Sequence, residues 1–404
     1  MARMRDCGGG RDGVSGNSGS TESMKGLREM TKFTPFMMER MLSKWENAVD
    51  INLSESGVHP MTLGALMELN GGSVADLAEV EINYPQANGS VELRQTIADL
   101  YAAPGPDNVL VTVGAAEANY LAIHTLLEPG DEAVLMRPNY MQMWGVMKNR
   151  GIVIKDFNLI EEDGWAPDLA ELEAAVGPNT KMIAVCNPNN PTGRILTGAE
   201  MDAIVAIAEK AGTWLLADEV YAGAERETDE ETPSFFGRYD KVIAVGSMSK
   251  AYGVPGLRTG WAVGPADTLD DMWARHEYTT LTTTTLSNIL TNIVLSPAVR
   301  PRILERTRRY IRTGYPILEE WMANHGNTFK LFPPQAAAIA FARYNLDINS
   351  TRLIERLREE KSVLIVPGDH FGLDGHVRIS YGVQADHLTE GLDRIHDLIM
   401  ELDS

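Results

Sequence analysis

Lys250 stands out among the residues whose type and setting can do chemistry. It lies in the stretch VGSMSKAYGVPGLRTGW, residues 245–261, behind Ser247 and Ser249 and ahead of a glycine-rich turn that carries Arg258. Burial beside a strand lowers the pKa of a lysine and leaves the free amine that forms a Schiff base with a carbonyl group. The stretch therefore predicts a nucleophilic lysine beside hydroxyl groups and a guanidinium.

An acid and a phosphate site complete this pattern. Asp218 ends the apolar run TWLLAD, and a lysine Schiff base with an acidic partner for the pyridinium nitrogen is the recurring arrangement that binds pyridoxal phosphate. Ser247, Ser249 and Arg258 can hold the phosphate. Backbone N–H groups at the start of a predicted helix can do the same, and they belong to Gly114, Ala115 and Ala116. The expected cofactor is therefore pyridoxal 5′-phosphate.

The elements that must position these residues alternate between short apolar runs and helical patterns. The runs are NVLVTVG, EAVLMRP, GIVIKDF, KMIAVCN, TWLLADEV and KVIAVGS. This alternation predicts an α/β fold with a mostly parallel sheet covered on both faces. Ligand sites of such sheets lie beyond the carboxyl ends of the strands. We therefore expect one crevice to be formed by residues 114–119, 137–140, 187–193, 218–221 and 247–250.

Both ends of the chain have a different pattern. After a helical stretch near residues 286–325, the runs AAAIAFARYN, SVLIVPG and HVRISYG predict a smaller α+β unit with antiparallel strands. Apolar residues at helical spacing predict an amphipathic helix within residues 24–47. Residues 1–23 are rich in Gly and Ser, and we expect them to be a disordered leader.

The span from about Tyr84 to Arg378 resembles the class I and II aminotransferases, the fold-type I enzymes that use pyridoxal phosphate. The family signature Ser-x-Ser-Lys, then Gly-x-Arg-x-Gly, is matched by Ser247, Ser249, Lys250, Gly256, Arg258 and Gly260. The resemblance implies a transferase with a large, mostly parallel seven-stranded sheet domain and a smaller α+β domain. The expected parts are an N-terminal arm with part of the small domain (24–75), the large cofactor-binding domain (76–290) and the small domain (291–404).

The resemblance also implies roles for individual residues around the cofactor. Lys250, Asp218 and Tyr221 are implied to be catalytic, with Asp218 at the pyridine nitrogen and Tyr221 at the phenolic oxygen. Asn190, in the motif Asn-Pro-Thr-Gly, is implied to bind the same oxygen and to lie beside the substrate. Tyr140 matches the aromatic residue that stacks on the cofactor ring.

Two further matches concern the substrate and a second subunit. Arg378 matches the arginine that grips the α-carboxylate of the substrate bidentately. Tyr84 matches the residue that reaches the cofactor phosphate of the neighbouring subunit. The resemblance therefore implies a homodimer with shared active sites.

The segment INLSESGVHPMTLGAL departs from the common family pattern and bears on the substrate. Its SGVH resembles the corresponding stretch of capreomycidine synthase-like members, which act on arginine derivatives. Glu55, with Gly57 nearby, and Glu117 are therefore candidates for binding a guanidinium or ammonium group. The sequence also allows residues 54–60 to be a polar loop in which Glu55 is solvated. Glu117 would repel a phosphate if it faced inward, so it must point away or meet a cation.

Fold and cofactor leave the reaction open. The first hypothesis is transamination of an amino acid with a basic or guanidino side chain. The second hypothesis is γ-elimination by a lyase, or cyclisation, of an arginine-like substrate such as canavanine or hydroxyarginine. A DNA-binding regulator with an aminotransferase-like domain is disfavoured, because residues 1–23 carry equal numbers of basic and acidic side chains.

Composition narrows the partners and the location. A net charge of −20 argues against binding nucleic acid or anionic membranes, and no apolar run is long enough to span a bilayer. We expect a cytoplasmic protein with a small-molecule substrate. Cys7 and Cys186 fit neither a disulfide framework nor a zinc site. His276 and His370 are not accompanied by other residues at a spacing that would bind a metal. The threonine-rich residues 279–288 either donate to a partner's phosphate or cap a helix.

Overall fold

A short helix and a two-residue strand begin the part of the chain that a computed structural model describes, residues 33–402. Helix α1 (Met37–Trp45) is shorter than the predicted helical range 24–47. Pro35 and the extended backbone of Phe36 precede it, and a proline disfavours helical geometry in the residue before it. Residues 24–32 and the predicted leader 1–23 lie outside the described residues. Strand β1 (Ile51–Asn52), helix α2 (Leu63–Leu69) and helix α3 (Val91–Leu100) follow.

An eight-stranded sheet forms the centre of the structure. Its strands are β2 (Val109–Thr112), β3 (Glu132–Arg137), β4 (Val153–Ile160), β5 (Ala166–Pro167), β6 (Thr180–Cys186), β7 (Trp214–Asp218), β8 (Val242–Ser247) and β9 (Gly260–Val263). They lie in the order β2-β9-β8-β7-β6-β3-β4-β5. Strands β8, β7, β6, β3 and β4 are parallel neighbours, and β9 runs antiparallel between β8 and β2. The mostly parallel sheet is confirmed.

The sheet has one strand more than the seven that the family resemblance implies. Strand β5 has two residues, one of them a proline, and it pairs antiparallel with the end of β4 at the edge of the sheet. So short a strand leaves no hydrophobic run in the sequence, and the edge is where a proline is tolerated because it donates no ladder hydrogen bond.

Helices cover both faces of the sheet. They are α4 (Ala115–Leu126), α5 (Gln142–Arg150), α6 (Leu169–Ala175), α7 (Gly198–Ala211) and α8 (Ala266–His276). Alternate residues of β3 enter two separate hydrophobic clusters, with Val134 and Met136 in one and Ala133 and Leu135 in the other. This is the pattern of a strand buried on both sides, and it explains why the strands read as continuous apolar runs.

The C-terminal part contains a smaller sheet and long helices. Its elements are α9 (Thr285–Leu295), α10 (Arg300–Asn324), β10 (Phe329–Leu331), β11 (Ile339–Tyr344), α11 (Ser350–Lys361), β12 (Val363–Leu364), β13 (Val366–Pro367), β14 (His376–Ser380) and α12 (Ala385–Leu402). Strands β10-β11-β14-β13 form an antiparallel sheet. Strand β1 pairs with β12, so the segment before α2 joins this part of the structure.

The domain boundaries at residues 75, 76, 290 and 291 stay predictions. Within residues 33–402, none of the helices is both long and apolar enough to cross a membrane.

Candidate active site

A cavity of about 430 Å³ opens at the carboxyl ends of the parallel strands. All five predicted strand-end segments line it, through Ala115, Ala116, Asn119, Tyr140, Asn190, Asp218, Tyr221, Ser247, Ser249 and Lys250. The parallel strands end at one edge of the sheet, so loops that are distant in sequence meet there. The volume is typical of pockets that hold cofactors. A second cavity of about 420 Å³ lies beside Trp165. Arg137 and Pro138 of the 137–140 segment line it, but none of the residues assigned to the cofactor or the substrate does.

Lys250 is partly buried and lies three residues beyond the end of β8. Burial lowers its pKa, and the guanidinium groups of Arg378 and Arg258 act in the same direction, while the carboxylates of Glu55 and Glu39 oppose them. A lowered pKa increases the fraction of the free amine at neutral pH.

Gly57 lies against the lysine. A Cβ atom at Gly57 would be 3.1 Å from the carbonyl oxygen of Ser249 and 3.9 Å from Cδ of Lys250. The loop that carries Gly57 therefore borders Lys250, as the sequence predicted for a residue of the substrate side.

Asp218 is the last residue of β7 and is buried. Its Oδ2 accepts a hydrogen bond of 2.8 Å from Nδ2 of Asn119, and its Oδ1 accepts one of 3.3 Å from the backbone N–H of Val220. Burial raises the pKa of Asp218, while these hydrogen bonds and the charge of Lys250 act against that rise. The sequence did not single out Asn119, although it lies in the predicted segment GAAEAN.

A tight approach of two loops shapes the proposed phosphate end of the cavity. Gly114 has φ +79°, and a Cβ there would be 2.5 Å from Nη2 of Arg258. A Cβ at Gly260 would collide with the backbone nitrogen of Ala115. Only glycine fits at both positions, so the guanidinium of Arg258 and the N-terminus of α4 are brought together.

The two serines before the lysine lie at the same end. Ser247 Oγ accepts a hydrogen bond of 3.0 Å from the backbone N–H of Ser249. Arg258 Nη1 lies 3.5 Å from Ser249 Oγ and donates to the carbonyl oxygen of Pro255 at 3.1 Å. Hydroxyl groups, a guanidinium and helix N–H groups thus line one end of the cavity, which is a donor set suited to phosphate.

Arg378 lies on β14 and is only 2% exposed. Its Nη1 donates to Oδ1 of Asn190 at 3.0 Å and its Nη2 donates to the carbonyl oxygen of Ser54 at 2.5 Å. Its Nε has no hydrogen-bond partner within residues 33–402. Tyr221 is also buried, and burial raises its pKa, while the nearby guanidinium of Arg378 and the side chain of Ser56 act against that rise. The structure thus brings together Asn190, Tyr221 and Arg378 as predicted.

Helix α1 closes the other side of the cavity. The hydroxyl of Tyr140 donates to Oε1 of Glu39 at 2.6 Å, and the Phe36 ring packs at 5.0 Å from the Tyr140 ring. Glu39, Glu46 and Glu55 all line the cavity. The sequence predicted Glu55 but missed Glu39 and Glu46, whose seven-residue spacing on an amphipathic helix was the available signal.

Glu117 does not face this cavity, and its predicted place beside the substrate is wrong. Its Oε2 accepts a 2.7 Å hydrogen bond from the backbone N–H of Val113, and its Oε1 lies 3.1 Å from Nδ1 of His276. The hydroxyls of Thr279 and Thr280 also donate to Oε1, at 2.5 and 2.7 Å. These hydrogen bonds outweigh burial and lower the pKa of Glu117 to about 2. Glu117 therefore points away from the cavity, as the sequence allowed for an acid that would repel a phosphate.

The remaining predicted residues lie away from the cavity of their own chain. Tyr84 is 88% exposed, as expected of a residue that would reach a second subunit. In the threonine-rich run, Thr284 caps α9 by accepting a hydrogen bond from the backbone N–H of Ser287. His276 is buried against Glu117, and the described residues contain no group of three or more potential metal ligands. His370 is not among the residues that line the cavity.

Comparisons with known proteins agree with this geometry. Residues 65–395 match the family model of aminotransferase class I and II. Capreomycidine synthase of Streptomyces vinaceus is 30% identical over 86% of this chain and 89% of its own length. The crystal structure of a PLP-dependent aminotransferase from Streptococcus suis superimposes with a TM-score of 0.86 at 30% identity, over 93% of this chain and 100% of that one. A PLP-dependent cyclase, OrfR, superimposes with a TM-score of 0.84 at 26% identity, over 92% and 98%.

The match covers most of the chain and includes the lysine, the acid and the arginine of the cavity. Pyridoxal 5′-phosphate is the cofactor that the family and these solved neighbours share. The chain belongs to the class I and II aminotransferases and is a pyridoxal phosphate-dependent enzyme.

Proposed function

We propose that this enzyme transaminates an amino acid whose side chain is basic or carries a guanidino group. The observation that carries the proposal is that Lys250, Asp218 and Arg378 line one cavity together with Glu55. These side chains offer an amine for the cofactor aldehyde, an acid for its ring nitrogen, a guanidinium for the substrate carboxylate and an anion for a cationic side chain.

The residues of the cavity fit the cofactor. A Cβ at Gly114 would fill the space beside Arg258, so glycine keeps the proposed phosphate end open. Asp218 is buried and held by Asn119 and by a backbone N–H, which fixes its carboxylate in one orientation. Lys250 would hold the aldehyde carbon, Ser247, Ser249 and Arg258 the phosphate, and Tyr140 one face of the ring.

The chain's own residues then divide the work of the reaction. When bound, pyridoxal phosphate supplies an electron sink for negative charge that develops on the substrate α-carbon. Once the substrate amine has replaced it at the aldehyde carbon, Lys250 would accept the α-proton at Nζ, and its lowered pKa increases the fraction of free amine that can do so. Asp218, ionised beside the ring, favours a proton on the ring nitrogen.

Asn190 and Arg378 prepare the substrate end. The Oδ1 atom of Asn190 accepts from Arg378, so its Nδ2 would be the group that donates to the phenolic oxygen of the cofactor. Arg378 keeps Nε without a protein partner within the described residues. A buried guanidinium nitrogen of this kind is stabilised when a substrate carboxylate accepts from it.

Elimination or cyclisation of an arginine-like substrate is the second candidate. Similarity to capreomycidine synthase and to the cyclase OrfR favours it. Incubation with arginine, canavanine or hydroxyarginine, without an oxo-acid acceptor, separates the two reactions. Repeated turnover without an acceptor would exclude simple transamination.

A homodimer with shared sites is the proposed assembly. Large side chains are exposed on two neighbouring segments, at Ile82 (85%), Tyr84 (88%), Tyr278 (93%) and Leu281 (57%). The segments are connected by hydrogen bonds from the hydroxyls of Thr282 and Thr285 to the carbonyl oxygens of Gln86 and Asn83. A large exposed patch of apolar and aromatic groups marks an interaction surface, and a second copy would bury it.

The substrate proposal is tested by recording the visible spectrum of the cofactor-loaded enzyme during titration with arginine, canavanine, lysine and aspartate. We expect arginine, canavanine or lysine to change the spectrum at the lowest concentration. Tightest binding by aspartate would contradict the proposed substrate class and leave the cofactor assignment intact.

A further inference from the structure

We propose that Glu39, Glu46 and Glu55 form a subsite that binds the cationic end of the substrate side chain. The inference deepens the proposed function and rests on it, because it needs a substrate held at Lys250 and Arg378. It adds two residues of the α1 region to Glu55, which is the one of the two predicted acids that lines the cavity. It assigns substrate choice partly to that helix.

The three carboxylates lie on two segments that meet over the cavity. Glu39 lies on α1 and Glu46 follows its last residue, and the two are seven residues apart. A separation of seven residues returns to the same helix face after about two turns. Glu55 comes from the loop after β1, and all three residues line the cavity.

The carboxylates are close enough to affect one another. Burial raises the pKa of Glu46, and the charges of Glu55 and Glu39 raise it further. Glu39 and Glu55 are exposed and Glu46 is partly buried. Like charges gathered around one cavity repel each other, and a bound cation relieves that repulsion. The pKa of Lys250 also responds to Glu55 and Glu39, so the acidic group acts on the reacting amine.

The charges of the cavity leave this group unneutralised. Among the described residues that line the cavity, the basic ones are Lys250, Arg258 and Arg378. Lys250 and Arg258 are assigned to the cofactor aldehyde and phosphate, and Arg378 is assigned to the substrate carboxylate. Asp218 is assigned to the ring nitrogen. The three glutamates remain, and a cationic ligand would offset part of their charge.

Arg378 is an independent sign that the cavity binds a ligand with an anionic group. It is 2% exposed, and its Nε has no partner within residues 33–402. Its Nη2 donates to the carbonyl oxygen of Ser54, the residue before Glu55. One short stretch of backbone therefore joins the carboxylate-binding arginine to the acidic subsite, and an amino acid with a cationic side chain has the matching arrangement of charges.

Glu39 has a further contact that connects the subsite to the cofactor. Its Oε1 accepts the hydroxyl of Tyr140, the residue predicted to stack on the cofactor ring. Within residues 33–402 no hydrogen bond occupies its second oxygen, which can therefore accept from a ligand. A guanidinium offers five N–H donors in a plane, so it can be shared between carboxylates on different segments better than a single ammonium group can.

The test compares arginine with citrulline, which has nearly the same shape but a neutral urea group in place of the guanidinium. Affinities are taken from spectral titrations of the cofactor-loaded enzyme and of the variants Glu46→Gln and Glu55→Gln. We expect the native enzyme to bind arginine at least about tenfold more tightly than citrulline. Each variant should lose about tenfold for arginine and less than about twofold for citrulline.

Matched controls separate this effect from general damage. Glu209→Gln makes the same chemical change on an exposed residue of α7 and should leave both affinities unchanged. Glu55→Lys reverses the charge and should shift preference from arginine towards glutamate. All variants should keep the spectrum of the covalently bound cofactor.

The failures of the two proposals are distinguishable. If the native enzyme responds to no amino acid, the proposed function is wrong. If it responds to amino acids but the Gln variants lose arginine and citrulline affinity equally, or lose neither, the acidic subsite is wrong while the enzyme's function stands.

Discussion

The cofactor side and the substrate side of the cavity differ in how their charges are held. On the cofactor side, Asp218 is buried and held by two hydrogen bonds. On the substrate side, Glu39 and Glu55 are exposed, and Glu46 is partly buried with a raised pKa. The first side is fixed by the ends of buried strands, while the second lies on one short helix and one loop. The residues proposed for the chemistry are therefore positioned by the sheet, while those proposed for substrate choice lie outside it.

The largest effect is expected from Lys250→Ala on the cofactor side. Loss of the amine removes both the covalent link to the cofactor and the proposed base, so turnover should fall by about 10⁴-fold. Lys241→Ala is the matched control, because Lys241 is exposed and donates to the carbonyl oxygen of Gly212 outside the cavity. Steady-state kinetics and the visible spectrum measure both variants. Near-native turnover by the Lys250 variant would contradict both roles of this lysine.

Asp218→Asn should be the next most damaging change. The amide preserves the size of the side chain but cannot carry the negative charge that favours a protonated ring nitrogen. We expect kcat to fall by about 10³-fold while the cofactor remains bound. The measurement is kcat together with exchange of the substrate α-proton in deuterated water. Normal exchange of the α-proton together with slow turnover would mean that Asp218 acts in a step other than removal of that proton.

Arg378→Ala should act mainly on substrate binding. It removes the proposed carboxylate partner and leaves Oδ1 of Asn190 without its donor. We expect KM for every amino acid to rise by about 100-fold. Arg378→Lys keeps the charge but loses the bidentate geometry, and should recover only part of the loss. An effect confined to arginine would contradict the assignment, because the α-carboxylate is common to all amino acids.

Glu117→Gln tests the support behind the phosphate end. The pKa of Glu117 is about 2 in the folded protein against a usual value of 4.5, so its carboxylate stabilises the folded state above about pH 4.5 and loses that contribution as the pH falls towards 2. The variant should lose on the order of 3 kcal/mol of unfolding free energy at pH 7. The difference in unfolding free energy between the variant and the native protein should shrink as the pH falls below about 4.5. Denaturant titrations at pH 7 and about pH 3 check this, and a constant difference would contradict it.

The smallest effect is expected from Tyr84→Phe, which removes one proposed hydrogen bond to a partner's phosphate. Cofactor affinity should fall by only about threefold to tenfold. A sharper test mixes Lys250→Ala subunits with Tyr84→Asp subunits. In a dimer of two Tyr84→Asp subunits, the added carboxylates should repel the cofactor phosphate and impair both sites. Hybrid dimers would contain one site with both native residues and should regain activity. Absence of any recovery in confirmed hybrids would contradict shared sites.

The cofactor side could be predicted from sequence because its residues follow strongly apolar runs. Asp218 ends one such strand and Lys250 lies three residues beyond another, and the rule for parallel sheets places them at one edge. Gly114 and Arg258 were found from the same logic and from the family signature. The two-residue strand β5 was missed because it leaves no apolar pattern.

The substrate side was harder for a physical reason. Glu117 looked like a pocket residue because it follows a strand end, yet its carboxylate turns back to Val113 and pairs with His276, which is 159 residues away. Glu39 and Glu46 reach the cavity only because α1 packs over it, and local sequence carries no record of that packing. Long-range contacts decided which acids face the substrate.

The most direct test of the central claim is to find the residue that holds the cofactor. The enzyme loaded with pyridoxal phosphate is reduced with borohydride, digested and mapped by mass spectrometry. We expect the added mass to lie on the peptide containing Lys250, and prior incubation with arginine to lower the amount of it. Added mass on another lysine, or none at all, would contradict the assignment of Lys250.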